Sequence, residues 1–162
     1  MFILQFFLII SLSILSIISS ITGKVIKIYD GDTFRIDTKK MEEYKIRIAD
    51  IDCPEKNQSY GREAKNFLTK KILNKTVLIK NIKIDKYNRI VGLVIYDKKK
   101  DLGKDIIEYG LAWVWKFSKN VPYKIIESQA RKKKIGLWKK NHPIDPYDWR
   151  KKRLFNPYDI CP

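Results

Sequence analysis

Histidine is nearly absent from this chain: His142 stands alone among 162 residues. That removes mechanisms built on a histidine pair, ribonuclease-type acid/base catalysis among them, and any multi-histidine metal site. Between Asn141 and Pro143, in a stretch without periodicity, His142 reads as an exposed or structural residue rather than a base. Cysteine is scarce as well. Cys53 and Cys161 show no metal-ligand spacing and cannot form a disulfide scaffold; they read as one disulfide or as two free thiols. Internal repeats and Gly/Ser linkers are missing, and about 140 residues beyond the N-terminus suit one domain with one core. Negative charge is the minority sign, with 18 Asp and Glu against 34 Lys and Arg and a net charge of +16. No charged residue precedes Lys24, so the positive excess belongs to the folded part. It favours a polyanionic partner. A lysine-rich surface that simply binds water is the other reading of the same composition.

The opening segment, "MFILQFFLIISLSILSIISSIT", is apolar or hydroxylic apart from Gln5. Its length and lack of a polar face read as an export signal or an uncleaved membrane anchor. Small residues at Ser19, Ser20 and Thr22 place cleavage near Gly23. Residues 1–22 are assigned to this segment, 23–140 to the folded domain and 141–162 to an irregular C-terminal extension. The expected location is secreted or periplasmic, with membrane attachment if the segment stays uncleaved.

Beyond Gly23, "KVIKIY" and "FRID" flank an Asp-Gly turn, "YKIRIADI" adds a third apolar alternation, and "TVLIKNIKI" pairs with "RIVGLVIYD" across "DKYN". Five strands result. "SYGREAKNFLTKKIL" sets Ala64, Phe67, Leu68 and Ile72 at helical spacing, with Ser59 as N-cap. A short helix covers "LGKDIIEYG", and a third begins near Pro122 and stops at Gly136. The expected fold is mainly β with helices (α+β): a five-stranded OB-type Greek-key barrel capped by about three helices. Such a barrel offers a groove to oligonucleotides, but a fold alone assigns no activity.

Asp50, Asp52 and Glu55 crowd into "ADIDCPEKNQ", a concentration of acid in a basic chain. Together with arginines they suit phosphodiester hydrolysis, which needs an activated water and fixed positive charge around the phosphate oxygens. Asp32 in "DGDT" and Asp52 in "DCPE" offer hard oxygen ligands to a divalent cation, most naturally calcium. Glu55 suits the base. Arg47 and Arg89 suit a phosphate clamp, because a planar guanidinium presents two parallel donors. Arg47 and Asp52 are five residues apart and would point to opposite faces of one straight strand, so the strand must end between them. Pro54 supplies a reason for that ending. Each residue also has a plainer reading: "DGDT" as an ordinary hairpin turn, Arg47 as a solvated strand residue, Arg89 as a hairpin residue, Glu55 as half of a surface ion pair.

The order "DGDT" (30–33), Arg47, "DCPE" (52–55), "DKYNR" (85–89), "YGLAWV" (109–114) and "ARKKKIGLW" (130–138) resembles the staphylococcal (micrococcal) nuclease family from about Gly23 to Trp138. The resemblance implies a Ca2+-dependent nuclease on an OB barrel, acting on DNA and RNA with single strands preferred, leaving 3′-phosphates, monomeric and without an obligate protein partner. It makes Asp32, Asp52 and the Cys53 carbonyl metal ligands, Glu55 the base, and Arg47 and Arg89 the phosphate-binding pair. Lys86 and Tyr87 would line the nucleotide pocket, and Asp30 resembles a carboxylate near the metal. Trp115, with Trp113, is a candidate for base stacking or, equally, for a core or groove wall. The tail "HPIDPYDWRKK" resembles an extension of exported bacterial members and is expected to hold no catalytic residue. A non-catalytic OB module that binds nucleic acid is the alternative from another functional class.

Overall fold

In the computed structural model, which describes residues 20–154, the Asp-Gly turn joins β1 (Ser20–Ile28) to β2 (Thr33–Asp37) as an antiparallel hairpin. Val25 and Ile28 are both buried although three residues apart. A bulge between Val25 and Lys27 resets the inward phase, and Ile26 is left on the outside. β3 (Glu43–Ile48) continues the meander, with Ile46 and Ile48 inside and Arg47 on the opposite face.

β5 (Thr76–Ile84) returns antiparallel to β1, and β6 (Ile90–Tyr96) pairs antiparallel with β5. β6 also pairs in parallel with β3, in the register Ile46↔Ile90, Arg47↔Val91 and Ile48↔Gly92. That seam closes a mixed five-stranded barrel, as the alternation of apolar residues predicts. Gly92 lets β6 lie close on its other neighbour, β5: a β-carbon there would lie 2.5 Å from Ile79 Cγ2 and 2.7 Å from the Lys80 carbonyl oxygen. Phe34, Ile36, Ile46, Ile79 and Val94 fill the interior with no exposed surface. Each such side chain contributes about 1.5–3 kcal/mol through burial.

Ser20–Thr22 belong to β1, not to the preceding segment: they pair with Lys80, Ile79 and Leu78, and Ile21 packs on the core. β1 thus starts three residues before Gly23, where the sequence reading begins the folded domain. Residues 1–19, the rest of the segment read as an export signal or membrane anchor, lie outside the described residues, as does Cys161.

Helix α1 (Gly61–Ile72) closes the barrel with Ala64, Leu68 and Ile72, all fully buried. Ser59 does not cap it. The cap position is Tyr60, at φ 68° and without a side-chain cap, because the chain must turn sharply out of the acidic loop. A short strand, β7 (Lys100–Asp101), extends the sheet at β6 and leads into α2 (Leu102–Glu108), where Asp101 accepts from the Lys104 amide. α3 (Val121–Lys132) is capped by Asn120, which accepts from the Tyr123 amide. It stops at Lys134 rather than Gly136. With φ 50° at Lys134, the Ile135 amide reaches the Ala130 carbonyl and the Lys134 amide the Arg131 carbonyl, closing a Schellman motif. Gly136 instead lies against Gly110, whose oxygen would sit 2.2 Å from an added β-carbon.

The extension is not wholly irregular. Pro146–Leu154 form α4, a fourth helix, started by Asp145, whose carboxylate accepts from the Tyr147 amide, and by proline at the first helical position.

Candidate active site

Asp32 comes from the β1–β2 turn, which Asp30 organises by accepting from the amides of Asp32 (3.0 Å) and Thr33 (2.7 Å). Gly31 lets this turn press inward: a β-carbon there would lie 2.6 Å from Ala64 Cβ and 2.7 Å from Cys53 Cβ. Asp32 then links turn to acidic loop, accepting from the Thr33 hydroxyl (2.8 Å) on Oδ1 and from the Cys53 amide (3.1 Å) on Oδ2.

Arg47 and Asp52 do meet, and the strand does end between them. The break is at Asp50, whose φ of 62° turns the chain, and not at Pro54. Ile51 and Asp52 leave the barrel as β4 and pair with β8 (Trp113–Val114). Asp50 itself is structural. Its carboxylate accepts from the Ser118 hydroxyl (2.8 Å) and the Asn120 amide group (3.3 Å), fixing the segment before α3. Arg47 Nη1 lies 2.5 Å from Asp32 Oδ1, while Nη2 donates to Asp52 Oδ1 (3.0 Å) and to the Ile51 carbonyl (3.2 Å).

These groups are buried enough for charge to matter. The Asp52 side chain is 2% exposed and that of Arg47 18%. Burial pushes the Asp52 carboxyl above its usual range and the nearby Asp32 charge adds to that, against the arginines that favour ionisation. Asp30 is pushed up to about 6, by burial first and by Asp32 second. Burial opposes the charge on Arg47, but Asp32 and Asp52 outweigh it and hold the guanidinium protonated.

The second arginine is held differently. Arg89 donates from Nε to Asp85 Oδ2 (2.8 Å), with Nη2 at 2.7 Å from the same oxygen, while Asp85 Oδ1 accepts from the amides of Tyr87 (2.9 Å) and Arg89 (3.0 Å). One carboxylate thus shapes the β5–β6 turn and aims its arginine. Tyr87 is exposed, with Lys86 and Arg89 over its ring at 5.0 and 5.3 Å.

Asp32, Arg47, Asp52, Cys53, Glu55, Lys86, Tyr87, Arg89 and Trp115 all line one cleft of about 680 Å³, as does Asp30. Every residue assigned a site role from sequence, Trp113 excepted, is therefore brought together. Trp113 is not among them: it is 4% exposed and stacks edge-on against Trp138 at 5.1 Å in a small core with Ala130 and Leu137. Its place is the core. Trp115 instead joins Phe117 and Tyr147, with ring centroids 5.4 to 5.9 Å apart.

Two residues of α4 also enter the cleft, against the expectation that the tail stays out of the site. Tyr147 lines it, and Arg150 reaches both acidic partners, donating to Asp52 Oδ2 (2.7 Å), Asp52 Oδ1 (3.2 Å) and Glu55 Oε1 (2.7 Å). The signal that would have found them is "DPYDWR" itself. Asp-Pro is a helix start, and Tyr147 and Arg150 stand three residues apart, on one helical face. His142 is exposed and lies outside the cleft.

Among the described residues, no three His, Cys, Asp or Glu side chains form a metal-ligating group. The chemistry of the donors still suits a hard cation. Asp32 and Asp52 present carboxylate oxygens on either side of one guanidinium, and burial pushes the Cys53 thiol well up, so it stays protonated and offers no thiolate. A cation held this way would complete its shell with backbone carbonyls and water.

A model of the family described as "Staphylococcal nuclease homologue" matches residues 45–140. The chain is 36% identical over 136 residues to an uncharacterized endonuclease of Haemophilus influenzae, covering 83% of this chain and 76% of that protein. It is 31% identical over 137 residues to an uncharacterized endonuclease of Escherichia coli, covering 83% and 88%. A micrococcal nuclease of Shigella flexneri is 26% identical over 140 residues, covering 80% of each. With the closed barrel and the cleft already described, these similarities lead to one conclusion: the chain belongs to the staphylococcal nuclease family of hydrolases.

Proposed function

We propose that this nuclease is a calcium-dependent, broad-specificity phosphodiesterase that cuts DNA and RNA, single strands preferentially, and leaves 3′-phosphates. The observation that carries the reading is the ion cluster of Arg47 with Asp32 and Asp52, opening on the same cleft as Glu55 and Arg89. Asp32, Asp52 and the carbonyl of Cys53 would hold the cation, which when bound supplies positive charge beside the phosphate and a polarised water.

The chain's own groups do the rest. Asp32, Asp52 and the Ile51 carbonyl occupy only part of Arg47's five N–H donors, so others are left for a phosphate oxygen. Arg89, aimed by Asp85, supplies the second clamp, and the two guanidinium groups offset charge that grows on the oxygens as water attacks phosphorus. Glu55 accepts the proton of the attacking water at its carboxylate. The bond from phosphorus to the 5′-oxygen breaks, the departing oxygen takes a proton from water to become the 5′-hydroxyl, and the phosphate stays on the 3′ side. Lys86 and Tyr87 border the leaving nucleotide, and Trp115 offers a face for a base.

The net charge of +16 suits a polyanionic substrate and predicts salt-sensitive binding. Cross-strand cations strengthen that view: Lys27 stands opposite Arg35, and Arg35 opposite Lys45, around the Tyr29 ring. Like charges so placed oppose folding and are tolerated where they meet an anion. Export rests on the apolar segment that precedes β1. The deciding experiment is digestion of a single-stranded oligonucleotide with calcium and with chelator, followed by identification of the phosphorylated end. Cleavage that persists in chelator, or 5′-phosphate products, would refute this reading.

A further inference from the structure

We propose that the C-terminal extension is a working part of the catalytic centre, with Arg150 as a positioning residue that holds Glu55, and the loop bearing it, against Asp52. This rests on the nuclease reading, in which Glu55 handles the proton of the attacking water.

The extension grips the acidic loop at two separate points. Arg150 spans three carboxylate oxygens, two on Asp52 and one on Glu55, at 2.7 to 3.2 Å. Six residues before Arg150, the Ile144 carbonyl accepts from the Gln58 side chain at 2.6 Å, while the same side chain accepts from the Glu55 amide at 3.0 Å. Gln58 is 8% exposed, so this second link is buried at its Gln58 end and partly buried along its length. Backbone and side chain of Glu55 are thus each fixed, directly or through one residue, by the same segment.

Physical need supports the arrangement. The Glu55 side chain is 37% exposed, and among the described residues Arg150 is the only partner its carboxylate has. A half-exposed glutamate without a partner samples several rotamers, whereas water activation requires one. Asp52 and Glu55 also repel each other, and a guanidinium set between them offsets that repulsion. Lysine cannot substitute, because one ammonium point does not span three oxygens as a planar fork does.

The helix is built to deliver this group. Asp145 and Pro146 set where α4 begins, and Tyr147, on the same face as Arg150, packs against Trp115 and Phe117 with centroids 5.9 Å apart. An ion pair serving stability alone would need no such register.

The test uses the full chain with calcium and a single-stranded oligonucleotide. Arg150→Ala and Arg150→Gln are expected to lower kcat by about tenfold to a hundredfold with KM changed by less than about threefold. Arg150→Lys should fail to restore the rate. In a Glu55→Gln background, Arg150→Ala should cost little more, since the residue acts through Glu55. Amide exchange at Glu55 and Gln58, measured without substrate, should speed up several-fold in Arg150→Ala. A raised KM with kcat retained, an undiminished loss in the Glu55→Gln background, or tighter calcium binding with full kcat would each overturn the proposal in favour of a substrate contact, an independent role or a competitor for the cation. Unchanged exchange in the variants overturns it whatever the activity. A wild type that protects the loop but cleaves nothing would instead sink the nuclease reading and leave the positioning role standing.

Discussion

Glu55 presses its carbonyl oxygen onto Gly61 so closely that a β-carbon at position 61 would lie 2.1 Å from it. The first residue of α1 and the loop carrying the proposed base are therefore fitted to each other through backbone, where no flexible side chain can give way. Gly61→Ala should improve intrinsic helix propensity by about 1 kcal/mol and still damage the protein. The expected outcome is a loss of cleavage of about tenfold or more with helical circular dichroism retained, because displacing the loop by an ångström misplaces the reacting groups. Wild-type activity in this variant would show that the loop's position does not matter.

Asp85 makes a similar case for Arg89. It accepts from the arginine's Nε and from two turn amides, and it is only partly buried, with 21% of its side chain exposed. Asp85→Ala should reduce stability by only about 1 kcal/mol. Its kcat/KM should fall much further, by about tenfold, since the clamp loses its aim. Urea midpoints and steady-state kinetics on one preparation separate the two effects, and equal small changes in both would deny Asp85 its positioning role.

Asp30 gives the protein a pH signature. Its carboxyl titrates at about 6 in the folded state, above its ordinary value of 3.8, because burial and Asp32 disfavour the charge. The native state thus binds this proton more tightly than the unfolded chain. Stability from this group is greatest below about 4 and is lost as the pH rises through about 6. Asp30→Asn keeps an acceptor for the two turn amides and removes the charge. In chelator, its melting temperature should exceed that of wild type at pH 8 and match it at pH 4. A gap of the same size at both pH values would contradict the assignment.

Ser20, Ile21 and Thr22 pair with β5, so the fold begins before Gly23. A chain starting at Gly23 should be about 1–3 kcal/mol less stable than one starting at Ser20, from the lost ladder and the exposed Ile21. Denaturant midpoints of the two chains decide this. A match would mean that the first three residues of β1 contribute nothing.

The barrel is legible because its strands carry apolar alternation, broken in β1 and β5 only at their bulges, and the site because turn chemistry and parity constrain where Asp32, Arg47 and Asp52 can go. Parity demanded a break after Arg47, and the break exists, but at Asp50: a single residue in the left-handed region leaves no signature as visible as proline. That same aspartate was grouped with the acidic cluster because sequence shows proximity along the chain, whereas its partners Ser118 and Asn120 lie some seventy residues away. Trp113 and Trp115, two residues apart, would share a face of one strand, but β8 ends at Val114, and Trp113 goes inward while Trp115 borders the cleft. α4 was missed because it has no apolar stripe to betray it. What holds it is its cap, its aromatic contacts and Arg150, none of which has a period.

The seam between β3 and β6 is the pairing that closes the barrel, and Arg47 stands in it opposite Val91. Closing the barrel and setting Arg47 beside its carboxylates are thus one structural requirement. A chain in which that seam has not formed would carry every reactive group and be unable to bring them together.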